Sequence, residues 1–129
     1  MQKAESMQEK FDVLFYEKED GSEPAKEFLN SLDKKMLAKM TRTIAVLQTN
    51  GPSLREPYSK SLEGGIFELR AKVGSDISRV LYFFFIDQQI ILTNGFIKKT
   101  NRTPIREIEK ANKYRADYLT REVKKNESI

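Results

Sequence analysis

A chain of 129 residues with 39% hydrophobic content amounts to one domain, 1–129, long enough to bury a real core. It contains no cysteine and no histidine, which excludes a disulfide framework, a thiol nucleophile, and the commonest general base and metal ligand. The formal net charge of +4 is only mildly basic, so the placement of the cations matters more than their number.

Residues 1–9 read as a loose polar tail with no signal-like apolar stretch, and the longest apolar run, Val80 to Ile86, is too short to span a bilayer. A cytoplasmic protein is expected. Phe11 to Tyr16 (FDVLFY) is rich in strand formers and predicts the first strand. A polar connection follows. Glu23-Pro24 then opens a helix, with Ser22 as its N-cap and Ala25, Phe28, Leu29 and Leu32 as its apolar stripe. Asp33 caps a second helix, in which Met36, Leu37, Met40, Ile44 and Leu47 recur at helical spacing until Gly51-Pro52 ends it. These two helices predict a hairpin. Pro52 to Gly65 reads as a loop. Three strands should fill Ile66 to Thr100. Thr103-Pro104 opens a last helix to about Glu122, with Lys124 to Ile129 fraying.

The three strands carry the chemistry. In Ile66 to Val73, Phe67, Leu69, Ala71 and Val73 alternate with Glu68, Arg70 and Lys72, so the two sets face opposite sides. Gly74-Ser75 is a two-residue hairpin turn, which sets Val73 opposite Asp76, Arg70 opposite Arg79 and Glu68 opposite Leu81. Treating Asp87-Gln88 the same way puts Ile86 opposite Gln89, Arg79 opposite Phe96 and Leu81 opposite Asn94. Glu68, Arg70, Arg79, Asn94, Phe96 and Lys98 then share one face. Directly opposed arginines repel, so such a cluster points to an anionic ligand. The expected fold is α+β: a helical hairpin on a mostly antiparallel four-stranded sheet, plus a C-terminal helix. The hairpin should cover the Phe67, Val80, Tyr82 and Phe84 face. The last helix should cover Phe83, Phe85 and Ile90, leaving an open basic cleft.

Three motifs stand in this order: Lys60-Ser61-Leu62-Glu63-Gly64-Gly65-Ile66-Phe67-Glu68-Leu69-Arg70, then Ser78-Arg79-Val80-Leu81-Tyr82, then Gly95-Phe96-Ile97-Lys98-Lys99-Thr100 with Thr103-Pro104-Ile105. Together they resemble the RelE/ParE toxin superfamily, and its HigB-like, phage-derived branch most closely. The resemblance covers roughly residues 11–120. It implies a RelE-like fold and the toxin of a type II toxin–antitoxin system. RelE and HigB types are ribosome-dependent, metal-free mRNA endoribonucleases that block translation, and they need no cofactor. The implied partners are a HigA-like helix-turn-helix antitoxin, the ribosome and mRNA, with operator DNA reached only through the antitoxin and no membrane. A ParE-like gyrase poison and a non-enzymatic nucleic-acid-binding module are the alternatives.

Metal-free RNA cleavage must remove the 2′-OH proton, stabilise the phosphorane and protonate the 5′-oxygen. Arg70 and Arg79 suit the second task, because guanidinium groups bind phosphate oxygens bidentately and stay charged. Lys98 can share it or act as the acid. Glu68 is either the base or the group that holds the arginines in place. Phe96 is a candidate base-stacking platform, or core. Lys60 and Lys99 are candidate phosphate contacts, or plain surface charge. Some HigB relatives use histidines in the cleft. This chain has none, so the group that moves the proton is left open. The antitoxin is expected on the hairpin around Lys34 to Thr43, away from Arg70 and Arg79.

Overall fold

The computed structural model describes residues 10–127, so the expected 1–9 tail lies outside the described residues. Strand β1 (Asp12–Phe15) leads to helices α1 (Pro24–Asn30) and α2 (Lys34–Asn50); β2 (Ser59–Ser61), β3 (Phe67–Val73), β4 (Asp76–Phe85), β5 (Gln89–Lys98) and α3 (Ile105–Glu127) follow. The strands form one sheet in the order β1-β5-β4-β3-β2. Only the β1–β5 pair is parallel. The α+β class, the helical hairpin and the C-terminal helix are as expected, with five strands in place of four. The extra strand, β2, is the tripeptide Ser-Lys-Ser, which carries no apolar alternation. Its extended state comes from pairing with Phe67 to Leu69.

Asp33 caps α2 as expected, its Oδ1 accepting from Met36 N at 2.8 Å. The N-cap of α1 is Glu23, not Ser22, and no side chain caps it. The Ser22 hydroxyl instead donates to Asp20 Oδ1 at 2.7 Å, a local turn that competes with capping. Helix α3 continues past the expected end at Glu122 to Glu127, and residues 128 and 129 lie outside the described residues. No helix among the described residues is long and apolar enough to cross a membrane.

The β3–β4 register is the expected one, with Val73 opposite Asp76, Arg70 opposite Arg79 and Glu68 opposite Leu81. The β4–β5 turn is a residue longer than expected, so Phe85 rather than Ile86 faces Gln89. Asp87 and Gln88 both sit in the left-handed region there, at φ 58° and 61°. A bulge then inserts Thr93, because Tyr82 pairs with Leu92 while Leu81 pairs with Asn94. The Thr93 hydroxyl donates to Leu81 O at 3.1 Å, filling the gap in the ladder. The two irregularities cancel, and Arg79 faces Phe96 as expected. Between them the phase is reversed. Ile90 therefore packs under the hairpin beside Phe84, and Ile91 takes the place expected for it under α3.

Two apolar layers hold the sheet. On one side Leu29, Met36, Met40 and Leu47 pack against Leu69, Val80, Tyr82 and Leu92. The motif glycine Gly95 lets α1 approach closely, since a Cβ there would fall 2.3 Å from the Phe28 ring. On the other side Ala111, Tyr114 and Tyr118 of α3 cover Leu81, Phe83 and Ile91. Tyr118 meets Phe83 and Phe85 edge-on, at centroid separations of 5.7 and 5.2 Å.

A polar clamp ties α3 to the end of β1. Tyr16 donates to Asp117 Oδ2 at 2.6 Å, and Arg121 Nε donates to the same oxygen at 3.1 Å. Burial, with the Asp117 hydrogen bond second, pushes the Tyr16 phenol up to about 12. The Tyr16 and Arg121 hydrogen bonds hold the Asp117 carboxyl below its usual range. A depressed carboxylate adds stability above its unfolded pKa and loses it as pH falls through the folded value, and a raised phenol adds stability that is lost as pH rises through its folded value. This clamp should therefore weaken in acid and again in strong base near pH 12. Asp117→Ala should cost about 1 kcal/mol, reduced by the exposure of the pair, read as a lower urea midpoint at unchanged m. An unchanged midpoint would show that the clamp adds nothing.

Candidate functional site

Neighbouring strands bring Glu68, Arg70, Arg79 and Phe96 together. Arg70 and Arg79 are directly opposed across β3 and β4. Their repulsion is relieved by Glu68, whose Oε1 accepts from Arg70 Nε at 2.6 Å while its Oε2 lies 3.7 Å from Arg79 Nε. One carboxylate between two guanidiniums leaves a surplus positive charge. Glu68 and Arg79 are fully buried, whereas the Arg70 side chain keeps 19% of its surface. The Arg79 guanidinium also lies 5.6 Å from the centre of the Phe96 ring.

The expected open cleft is covered. The connection from β5 to α3, residues 99–104, folds over the cluster as a strap. Arg79 Nη2 donates to Thr100 O, and Arg70 Nη2 donates to Asn101 O at 2.6 Å. Thr103 Oγ1 donates to Glu68 Oε2. Backbone carbonyls thus occupy guanidinium donors that an anion would otherwise take. Burial lowers the Arg79 pKa from its ordinary value, with Glu68 opposing the shift and Arg70 adding to it. Arg79 Nε and Nη1 are buried with no hydrogen-bond partner among the described residues. Such orphaned donors are rare in native proteins and cost free energy.

The other expected residues lie around this centre. Lys60 sits on β2 opposite Glu68, exposed at the sheet edge. Lys98 is exposed near the end of β5, opposite Ile77 and two residues beyond Phe96. Lys99 is turned to the β3–β4 hairpin, with Nζ 3.1 Å from Asp76 Oδ1 and 3.3 Å from Ser75 Oγ. Phe96 is half-buried and packs with the α3 layer. Asn94 is buried and donates to Glu107 Oε1 at 3.0 Å, pinning the start of α3 to β5. The role of Thr103 is absent from the sequence reading. There Thr103 appears only in the third motif, before Pro104 at the opening of the last helix.

Residues 27–116 match the family described as Phage derived protein Gp49-like (DUF891). The chain belongs to this Gp49-like family. The match spans the whole Glu68–Arg70–Arg79 cluster and its strap, and it bears out the expected place among the RelE/HigB-like toxins. No curated protein matches the chain. Among solved structures, the crystal structure of the archaeal RelE-RelB complex from Pyrococcus horikoshii OT3 is similar at 23% identity and a TM-score of 0.47, covering 72% of this chain and 98% of that one.

Proposed function

We propose that this Gp49-like protein is the toxin of a toxin–antitoxin pair and acts in the cytoplasm as a ribosome-dependent mRNA endoribonuclease that stops translation. The observation that carries this reading is the pair of opposed guanidiniums sharing one carboxylate, with buried Arg79 donors left unpartnered. A phosphodiester is the ligand class that fits two forked, permanently charged donors.

In the proposed reaction the ribose 2′-oxygen bonds to phosphorus and the bond from phosphorus to the 5′-oxygen breaks. The 2′-OH gives up its proton to solvent water, and the 5′-oxygen receives one. Arg70, at the surface, meets the phosphate first. Arg79 joins when a phosphate oxygen displaces the Thr100 carbonyl, exchanging a neutral acceptor for an anionic one. Both then stabilise the charge that develops on the phosphorane. Glu68 spends Oε1 on Arg70 and Oε2 on Thr103, so its assigned role is to position the arginines. Lys98 is the candidate proton donor to the 5′-oxygen. Lys60, Lys99 and Phe96 are assigned to the path of the bound strand. The assigned partner is a HigA-like helix-turn-helix antitoxin, through which the pair would reach operator DNA.

Induction of the chain without its antitoxin should stop protein synthesis before DNA synthesis and create new mRNA 5′ ends within minutes. Pulse labelling of both syntheses, with 5′-end sequencing, checks this. Replication failing first while translation continues would replace this reading with the gyrase-poison one.

A further inference from the structure

We infer that the pocket beside Arg70 is a nucleotide-binding subsite for single-stranded RNA, in which Tyr58 stacks on a base and Lys39, Lys72 and Arg70 hold the adjoining phosphates. The ligand class rests on the RNA-directed reading above. The pocket itself is a property of the fold.

The pocket exists because β2 is short. It pairs with β3 only from Phe67 to Leu69, and the last backbone link is Arg70 N to Tyr58 O at 2.9 Å. Beyond that point β3 has no outer strand. The gap between this open edge, α2 and the loop before β2 forms a cavity of about 280 Å³. That is close to the size of small ligand sites. Lys39 of α2, Arg70 and Lys72 of β3, Tyr58 and Asn101 all line it, and no carboxylate does. Neither Lys39 nor Lys72 makes an ion pair among the described residues. Three cations around one cavity repel one another, and a polyanion turns that repulsion into attraction.

Tyr58 supplies the second half of the site. It is 46% exposed, an unusual position for a large aromatic side chain with ample core available. Its backbone is nevertheless fixed on both sides, with N donating to Arg55 O at 3.0 Å and O accepting from Arg70 N. An exposed ring on a fixed backbone is a low-entropy stacking platform. Aromatic rings beside cationic grooves are the common device for holding single strands without reading sequence. Asn101 joins this pocket to the strap, since it lines the cavity while its carbonyl caps Arg70 Nη2. A nucleotide seated on Tyr58 would therefore place its neighbouring phosphate at Arg70. The larger groove of about 740 Å³ along β1 mixes Glu17, Glu23 and Glu122 with Arg121, Lys124 and Lys125, a lining less suited to a polyanion than one free of carboxylates.

The test is fluorescence anisotropy of the full chain with a labelled 2′-O-methyl hexaadenylate, which cannot be cleaved because it lacks the attacking hydroxyl. Tyr58→Ala should weaken binding about tenfold or more, and Tyr58→Phe should restore it. Lys39→Ala and Lys72→Ala should each weaken binding several-fold and lower the salt slope by about 0.7. Lys113→Ala, on α3 and outside the pocket, should bind like the parent. The inference is overturned if the parent does not bind at low salt, if Tyr58→Ala and both lysine variants bind normally, or if Lys113→Ala weakens binding as much as they do. Pocket-dependent binding without mRNA cleavage on ribosomes would remove the nuclease reading and keep the subsite. Cleavage with normal binding by the pocket variants would do the reverse.

Discussion

Arg70→Ala should leave the protein folded and lower mRNA cleavage by about 10²–10³-fold, the effect of losing one preorganised donor worth about 2.7–4 kcal/mol of barrier. Arg70 is the member of the arginine pair that reaches solvent, with 19% of its side chain exposed. Nε is held by Glu68 and Nη2 by the Asn101 carbonyl, while Nη1 has no hydrogen-bond partner among the described residues. The fork is thus fixed in direction with a donor to spare, which is the condition for stabilising charge without reorganisation in the transition state. Truncation leaves Glu68 with its Thr103 hydrogen bond and its contact to Arg79, so the buried carboxylate stays partnered. Arg70→Lys keeps the charge but loses the fork, and should fall between parent and alanine. Mapped 5′ ends in a translating extract give the cleavage rate, and urea unfolding confirms the fold. A folded Arg70→Ala protein that cleaves at the parental rate would sink the assignment.

The contrast between Arg70 and Arg79 shows where the sequence stops being legible. Their opposition across β3 and β4 follows from Gly74-Ser75 alone, because a two-residue turn leaves no freedom in the register. The burial of Arg79 follows from nothing of that kind. It depends on the strap and on which way its Thr100 carbonyl points, and side-chain patterning is silent about carbonyl direction. The same limit hid β2 and, with it, the Tyr58 pocket. Ser59 to Ser61 become a strand only because β3 offers them a ladder.

The β4–β5 hairpin failed for a different reason. From Tyr82 to Leu92 nearly every residue outside the turn is apolar, so period-two alternation gives no phase with which to count. The longer turn and the Thr93 bulge could not be told apart from a tight turn on a regular ladder. They cancel at Arg79 and Phe96, which is why the register there is as expected while Ile90 and Ile91 are exchanged. A bulge re-aims the side chains beyond it, and here it returns Asn94 and Phe96 to the face of the arginines.

Glu68→Ala should have the largest effect on stability of any single change in the cluster, about 3–5 kcal/mol, the usual cost of breaking a buried pair by removing one partner. Among the described residues Glu68 is the only carboxylate within ion-pair distance of either guanidinium. Without it Arg70 and Arg79 face each other directly, Arg79 is buried with no counter-charge, and the Thr103 hydroxyl loses its acceptor. Glu68→Gln keeps an acceptor for Arg70 and Thr103 but not the charge, so a smaller loss is expected. The double variant Glu68→Ala/Arg79→Met removes both buried charges and should recover most of the loss, because apolar replacement of a whole buried pair is often close to neutral. Urea midpoints at constant m compare the three. This series also separates the two roles open to Glu68. A group that holds the arginines must appear in the unfolding curve, whereas a free base would appear only in the cleavage rate. An unchanged midpoint for Glu68→Ala with cleavage abolished would return Glu68 to the role of proton acceptor.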